Sequence, residues 1–524
     1  MRIETIFVRI LMTHGYMLSG SGSFVYVQNL CRALTREGHE VHLVCQEPRP
    51  LNYDFVNEHW TVDGDVIERL GEQETPYPGR CAVYNPDIGG LLPVYVYDDY
   101  PGWRVKTFLD LSDVELDNYL DTNSAAVRAV LQKSGASAVV TNHSVPAPLF
   151  VRRALEGISI PYTSIVHGSC LQYVSRKSKK YMALTRKGLE GAHRILALSA
   201  HSAGTIAEDF PDMQDKTLAL PGGVDTDLFR PDALDPNVLG NLNGGPGRGS
   251  RETAALGSAL PRSTNAEDLA GTLRAISAAY DARAHDRDAG ERLSALLSDD
   301  SPLVIYVGKL IHSKGVHSLL SAFSRIHRET GARLLVVGFG TFRDALETLT
   351  RALSTGNERI VRLLADYGPL FEGREAEPME HFTPSEDLLR DASGMGAAVE
   401  FVGPLYHADL AKLLPAADVA VVPSIFPETF GLVAAEFAAT GVPAFVADHS
   451  GLREAGSIVG QNLPFDLRVG MDAFEENLAH AVTDFLSLPE AERRRCREIV
   501  RRNSVEHLSW GTLANGLVRI AGEE

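Results

Sequence analysis

Leu303-Val304-Ile305-Tyr306-Val307-Gly308-Lys309-Leu310-Ile311-His312-Ser313-Lys314-Gly315-Val316 joins a short apolar run to a glycine-bounded turn, and then to a helical pattern over residues 316–327. An apolar run stopped by glycine predicts a buried strand, and a helix that follows directly carries the chain back across the sheet. Residues 333–337 are the next predicted strand, and 418–422 and 444–447 continue the series. The same rhythm fills the N-terminal half. Strands are predicted over 6–13, 41–45, 138–142, 162–166, 194–198 and 217–220, with a helix over 23–37 that Gly38 stops. Such alternation predicts an α/β chain with parallel sheets flanked by helices.

Two interruptions divide the series. Residues 236–250 are dense in Gly, Asn and Pro, and from Asp232 through Asp300 the only aromatic is Tyr280. This reads as a flexible and helical insertion, 232–300, near a hinge, with surface helices and no core of its own. Residues 356–398 carry mixed charge and several prolines and read as surface loops. What remains is long enough for two similar domains, expected over 1–231 and 301–505. Residues 506–524 are expected to form a C-terminal helix that packs back on the N-terminal domain. In facing α/β domains, ligands bind in the cleft outside the carboxyl ends of the strands.

Composition narrows the function. Lys plus Arg number 50 against 68 Asp plus Glu, a net charge of −18. That balance argues against a general nucleic-acid binder, which needs clustered positive charge, yet it leaves room for a small anion held by two or three cations. The five cysteines, Cys31, Cys45, Cys81, Cys170 and Cys496, are odd in number and contain no C-x-x-C pair, so no disulfide framework or thiolate zinc site follows. Arg9 breaks the apolar start, and Pro423, Pro427, Glu428 and Glu436 break the most apolar stretch. The reading is a soluble, cytoplasmic protein.

Several segments can carry chemistry. Gly20-Ser21-Gly22-Ser23 opens a helix, where small residues let amide groups approach a phosphate, but Val25 stands where a dinucleotide fingerprint has its third glycine. Gly338-Phe339-Gly340 is a second incomplete pair, and Glu47 lies where a ribose-binding acid of a nicotinamide domain would sit. An NAD-dependent dehydrogenase is therefore an alternative whose motif neither loop completes. Lys309 and Lys314 should stand at the carboxyl edge of a strand, where two ammonium groups can neutralise a diphosphate. Pro423-Ser424-Ile425-Phe426-Pro427-Glu428-Thr429-Phe430-Gly431-Leu432-Val433-Ala434-Ala435-Glu436 is denser still. Glu428 falls in the loop before a helix, and Glu436 lies inside that helix among Val433, Ala434, Ala435, Phe437 and Ala438. A carboxylate in such company needs a partner or bound hydroxyls.

These residues together resemble the family-4 retaining glycosyltransferases. The match rests on the Gly20–Ser23 loop, Val166-His167-Gly168, the segment from Pro221 to Pro231, the loop around Lys309 and Lys314, and the E-x7-E pair Glu428 and Glu436. Ser450-Gly451-Leu452-Arg453-Glu454 and Ser509-Trp510 fit more loosely. The resemblance implies the GT-B fold, two Rossmann-like parallel-sheet domains facing across a cleft, with a nucleotide-diphosphate sugar as donor and no cofactor or metal required. By it, Glu428 would hold hydroxyls of the donor sugar and Glu436 the nucleotide ribose. Lys309 and Lys314 would bind the diphosphate, with backbone amides at Gly22 and around Phe430, Gly431, Leu432 and Val433. His167 would contact the transferred sugar near the reacting carbon. Lys309 replaces the family's usual Arg, and Ser21 its first glycine.

The acceptor, a small sugar, a polyol or a glycolipid, has candidate ligands in Asn142, His143, Tyr173 and Arg176. Arg176-Lys177-Ser178-Lys179-Lys180, with Arg186-Lys187, is the main basic cluster and reads as a solvated helix face. Its other use would be contact with an anionic acceptor or a membrane surface. Uracil is the preferred base by the family's habits. The alternative of another class is a catalytically silent protein that binds and reports nucleotide sugars. Asp225-Thr226-Asp227 imitates a metal-binding D-x-D but belongs to the interdomain segment.

Overall fold

The computed structural model describes residues 7–20, 22–98, 100–232, 242, 246–249 and 265–522. Ser21 and much of the first predicted insertion thus lie outside the described residues. The chain forms two compact units, Met1–Gly223 with Leu508–Glu524, and Val224–His507.

In the first unit, β1 (Arg9–Thr13), β2 (Glu40–Val44), β8 (Ala138–Asn142), β9 (Tyr162–Val166), β10 (Arg194–Ala197) and β11 (Thr217–Ala219) are the strands read from the sequence. Residues 58–107 add β3 (Glu58–Asp63), β4 (Val66–Glu72), β5 (Arg80–Pro86), β6 (Leu91–Val94) and β7 (Arg104–Thr107). One sheet runs β11-β10-β9-β8-β1-β2-β5-β3-β4, and β6 pairs with β7 apart from it. Its pairings are parallel except β3 with β4. The period-2 pattern of β1 explains the layering: Ile10 and Met12 enter one core and Leu11 the other. The helix Trp510–Ala521 covers the Ile10 face through Leu513, Ala514 and Leu517.

The second unit holds β12 (Leu303–Val307), β13 (Arg333–Val337), β14 (Val399–Val402), β15 (Val419–Val422), β16 (Ala444–Ala447) and β17 (Arg468–Val469), ordered β14-β13-β12-β15-β16-β17 and all parallel. Val304, Ile305, Leu334, Leu335, Val419 and Ala420 are fully buried, as expected for strands covered by helices on both faces. In both sheets the strand order reverses beside the first strand, between β1 and β8 and between β12 and β15. That reversal is where such folds leave room for ligands.

Two expectations are corrected. Residues 356–398 are not surface loops. They form the helix Glu358–Asp366, a turn of 3-10 helix Gly368–Glu372 and the helix Glu386–Asp391, and they bury Ile360, Val361, Leu364, Phe371, Met379 and Met395. The end of the 232–300 insertion forms helices as expected, but these do more than lie on the surface. Its helices Ala266–Ser277 and Ala289–Leu297 bury Leu269, Leu273 and Leu293. The buried Asp286 takes both ends of the Arg343 guanidinium at 2.8 and 2.6 Å, and Arg248 is buried against Asp344 at 3.1 Å and against Glu347. These charges are thus paired inside the unit. Among the described residues no helix is long and apolar enough to cross a membrane.

Candidate functional site

The second unit brings the lysine loop and the two-glutamate loop together because they follow neighbouring strands, β12 and β15. Ile425 and Phe426 donate their amides to the Ser313 carbonyl at 3.0 and 3.2 Å. Gly315 makes the approach possible. Its φ is 67°, and a Cβ there would lie 2.0 Å from the Pro423 carbonyl oxygen. Across this seam Lys314 Nζ pairs with Glu428 Oε1, and the Ser424 hydroxyl donates to the same oxygen at 2.6 Å. The Glu428 amide donates to Ser450 Oγ at 2.9 Å, while His449 Nε2 donates to the Ser424 carbonyl at 2.6 Å. Glu428 is therefore fixed in place with a cation beside it. Ser424 and His449 were not singled out by the sequence reading, because their roles depend on partners distant in the chain. Lys309 is exposed, and its carbonyl accepts from the Tyr306 hydroxyl at 2.9 Å.

Gly431, with φ 104°, is the N-cap of the helix Leu432–Ala439, which has no side-chain cap. The first amides of such a helix lack intrahelical partners and favour an anion. Gly431, Leu432 and Val433 are half-buried, whereas the Phe430 side chain is in the core, leaving main chain as what it can offer a ligand. Glu436, one side of the same helix, has a side chain 17% exposed. Burial pushes its carboxyl up to about 8. His407 Nε2 lies 3.6 Å away, and burial lowers the pKa of that imidazole, so it does not offset the burial of Glu436 as a fixed cation would. His407, on the helix His407–Leu413, is a further site residue that the sequence reading did not name.

In the first unit three histidines stand immediately past β1, β8 and β9: His14, His143 and His167, all buried. The His143 ring lies 4.7 Å from His167 and 5.8 Å from His14. Tyr95, Tyr16 and Phe24 pack around them, Tyr95 at 4.5 Å from His143. His167 Nε2 meets Asn142 Oδ1 at 3.1 Å, and Asn142 Nδ2 donates to the Thr13 carbonyl at 3.1 Å. An amide oxygen accepts, so the His167 proton is assigned to Nε2 and Nδ1 is left as an acceptor. Asn142 is thereby occupied in orienting His167. Among the described residues the ring nitrogens of His14 and His143 make no hydrogen bond of good geometry. Burial, with His167 nearby, lowers the pKa of His14 to about 3 and of His143 well below its usual value, and burial lowers His167 to about 4. All three are neutral at pH 7.

The remaining predicted residues are placed as follows. Gly22 is exposed at the N-cap of the helix Ser23–Arg36 with φ 53°. Tyr173 is 45% exposed at the end of the helix Gly168–Tyr173. Arg176 pairs with Asp209 at 2.9 Å, and Lys180 and Arg186 pair with Asp113 and Asp212, so much of the basic cluster is neutralised locally. Asp225 Oδ1 accepts the amides of Asp227 and Leu228, both at 3.1 Å, and so caps a turn. Glu47 turns inward to accept from the Leu18 amide at 3.0 Å and the Tyr53 hydroxyl at 3.2 Å. That orientation removes the ribose acid a dehydrogenase would need.

Residues 21–223 match the family described as glycosyl transferase 4-like domain, and residues 291–363 and 385–502 match the family described as glycosyl transferases group 1. The chain is a member of the glycosyltransferases. The pairing of these two domains is typical of GT-B members of family 4. A glycogen synthase of Mycobacterium tuberculosis is 32% identical to this glycosyltransferase over 222 residues, 41% of each chain. The chain thus spans 41% of the length of that curated relative. Among solved structures, sucrose-phosphate synthase from Thermosynechococcus elongatus superposes with a TM-score of 0.54 at 19% identity, covering 98% of both chains. The Anabaena protein Alr3699/HepE, solved in complex with UDP and glucose, superposes with a TM-score of 0.52 at 12% identity, again over 98% of both. These likenesses carry the GT-B fold, with its two parallel-sheet domains.

Proposed function

We propose that this glycosyltransferase moves a sugar from a nucleotide-diphosphate sugar to a hydroxyl acceptor, with retention of configuration at the anomeric carbon. The observation that carries the reading is the Lys314–Glu428 pair at the β12/β15 reversal, beside an uncapped helix N-terminus and Glu436. Lys309 and Lys314 hold the diphosphate, helped by the amides of Gly431, Leu432 and Val433 and of Gly22. Glu428 accepts hydroxyls of the donor sugar, and Glu436 holds the ribose. Placing positive charge where the diphosphate leaves stabilises the transition state directly. The bond from the anomeric carbon to the phosphate oxygen breaks, the acceptor oxygen bonds to the same face, and its proton passes to the departing phosphate. No protein nucleophile takes part.

The first unit is read as the acceptor side. His167, oriented by Asn142, contacts the transferred sugar, and His143, with Tyr173 and Arg176 further out, meets the acceptor. Neutral imidazoles and aromatic rings favour an uncharged, hydroxyl-bearing acceptor such as a sugar, a polyol or the glycan of a glycolipid. The base is read as uracil, in keeping with the ligand of the Anabaena neighbour, and the setting as cytoplasmic. The test is incubation with UDP-, ADP- and GDP-sugars and a panel of neutral acceptors, following release of nucleotide diphosphate and formation of product. Donor binding without transfer or hydrolysis would favour the silent nucleotide-sugar-binding protein instead.

A further inference from the structure

The group 1 family match stops at residue 363 and resumes at 385, so residues 364–384 are additional to that family's pattern. This segment is not a bystander. Glu372, at the end of the turn Gly368–Glu372, accepts the backbone amide of His312 at 2.6 Å. His317 Nε2 donates to the Glu380 carbonyl at 2.8 Å, and Ser318 Oγ to the His381 carbonyl at 2.7 Å. Its own Phe371, Met379 and Phe382 are buried. The segment is therefore fastened to the turn His312–Lys314 and to the start of the helix Val316–Thr330.

The His312 amide opens the turn that delivers Lys314. Amides at the start of such a turn have no partner within it, and His312 is buried, so solvent cannot substitute. Other bonds hold the rest of the loop. Leu310 is tied to Phe339 and Phe342, and Ser313 to Ile425 and Phe426. Between those anchors, the His312 carbonyl accepts the Gly315 amide at 3.0 Å, and Glu372 is the side chain that holds the His312 amide. The Glu372 side chain is only 6% exposed, and its nearest cation, Arg374, is 3.7 Å away. Burial raises the carboxyl above the ordinary Glu value. A buried negative group near a diphosphate site opposes the ligand's charge, so the benefit of Glu372 must come from the hydrogen bond and not from its charge.

We infer that Glu372 is a positioning residue for Lys314: a segment outside the family pattern sets the turn that carries this lysine. The inference rests on the reading of Lys314 as a diphosphate ligand. Misplacing a charged group by about 1 Å can cost up to about 100-fold. The effect must fall on ligands that carry the diphosphate and spare those that lack it.

The full chain and its Glu372→Ala, Glu372→Asp and Glu372→Gln variants are titrated with UDP, ADP and GDP and with the matching nucleosides. The wild type should bind one diphosphate well above its nucleoside. Glu372→Ala should weaken that diphosphate by roughly tenfold, the scale of one hydrogen bond to a charged group, and leave the nucleoside within about twofold. Glu372→Gln keeps an acceptor for the amide and loses the opposing charge, so it should recover most of the diphosphate affinity. Glu372→Asp is too short to reach and should behave like Glu372→Ala, providing the reading if the alanine variant does not fold. Equal loss for diphosphate and nucleoside, or no loss for either, overturns the positioning role. A wild type that binds no diphosphate better than its nucleoside overturns the lysine assignment itself, and this inference with it.

Discussion

Glu428 and Glu436 lie close in sequence and in unlike surroundings, and that contrast sets what each can do. Glu428 has a lysine, a serine hydroxyl and a fixed backbone around it. Glu428→Gln should lower turnover by about 10- to 150-fold, the value of a lost charged hydrogen bond of roughly 1.5–3 kcal/mol felt in the transition state. Free nucleotide diphosphate should still bind nearly as before. Glu436→Gln should instead weaken the bare nucleotide diphosphate, with the effect largely in donor affinity. Calorimetry beside steady-state kinetics separates the two, and the reverse pattern would exchange the roles. Glu436 also makes a stability prediction. Folded, it keeps its proton up to about pH 8, against 4.5 for an ordinary Glu. The folded state thus binds more protons in that window, so stability falls as pH rises from 4.5 towards 8. Ligand-free Glu436→Gln should lose that slope and be more stable than wild type at pH 8, by up to a few kcal/mol. A wild-type melting temperature flat across this range would contradict the buried carboxyl. The lysines and glutamates were legible in sequence because charge inside an apolar, glycine-punctuated run stands out. Ser424, His449, His14 and Glu372 were not, since each acts through a partner on another strand or segment.

At the scale of elements, the strands around β12 and β1 were legible because apolar runs bounded by glycine leave little choice of structure. The segments that misled are those whose charges turn inward. Residues 356–398 look polar, yet Ile360, Val361 and Leu364 share one buried helix face. The end of the 232–300 insertion looks solvated, yet Asp286 and Arg343 have side chains only 1% and 3% exposed. Breaking a buried pair strands a charge, at a cost of about 3–5 kcal/mol. Asp286→Ala should therefore destabilise the second unit by about that amount in urea unfolding. Replacement of residues 237–289 by a Gly/Ser linker should do at least as much harm, because it removes Arg248 as well. Unchanged unfolding midpoints would mean that these pairs are not formed in solution.

For the whole molecule, a net charge of −18 surrounds a proposed anion site built from Lys309, Lys314 and helix amides. Cations placed by the fold can do for a diphosphate what a metal ion does elsewhere, so activity should survive EDTA. Complete loss on chelation, reversed by magnesium, would count against the site and return attention to Asp225 and Asp227. The three first-unit histidines are neutral at pH 7, and with pKa values lowered to about 3 for His14 and about 4 for His167 their protonation should not limit activity until the pH falls well below 6. The two-sheet plan was legible from the repeated strand–helix rhythm. The nine-strand extent of the first sheet was not, because residues 58–86 carry charge and proline where their strands lie at its edge. The central claim is transfer from a nucleotide-diphosphate sugar with retention, and proton NMR of the product tests it most directly. Supplied with an α-linked nucleotide sugar and a neutral acceptor, the protein should release nucleotide diphosphate and form an α-glycoside. A β-glycoside would contradict the retaining mechanism, and no release of nucleotide diphosphate from any nucleotide sugar would contradict the transferase itself.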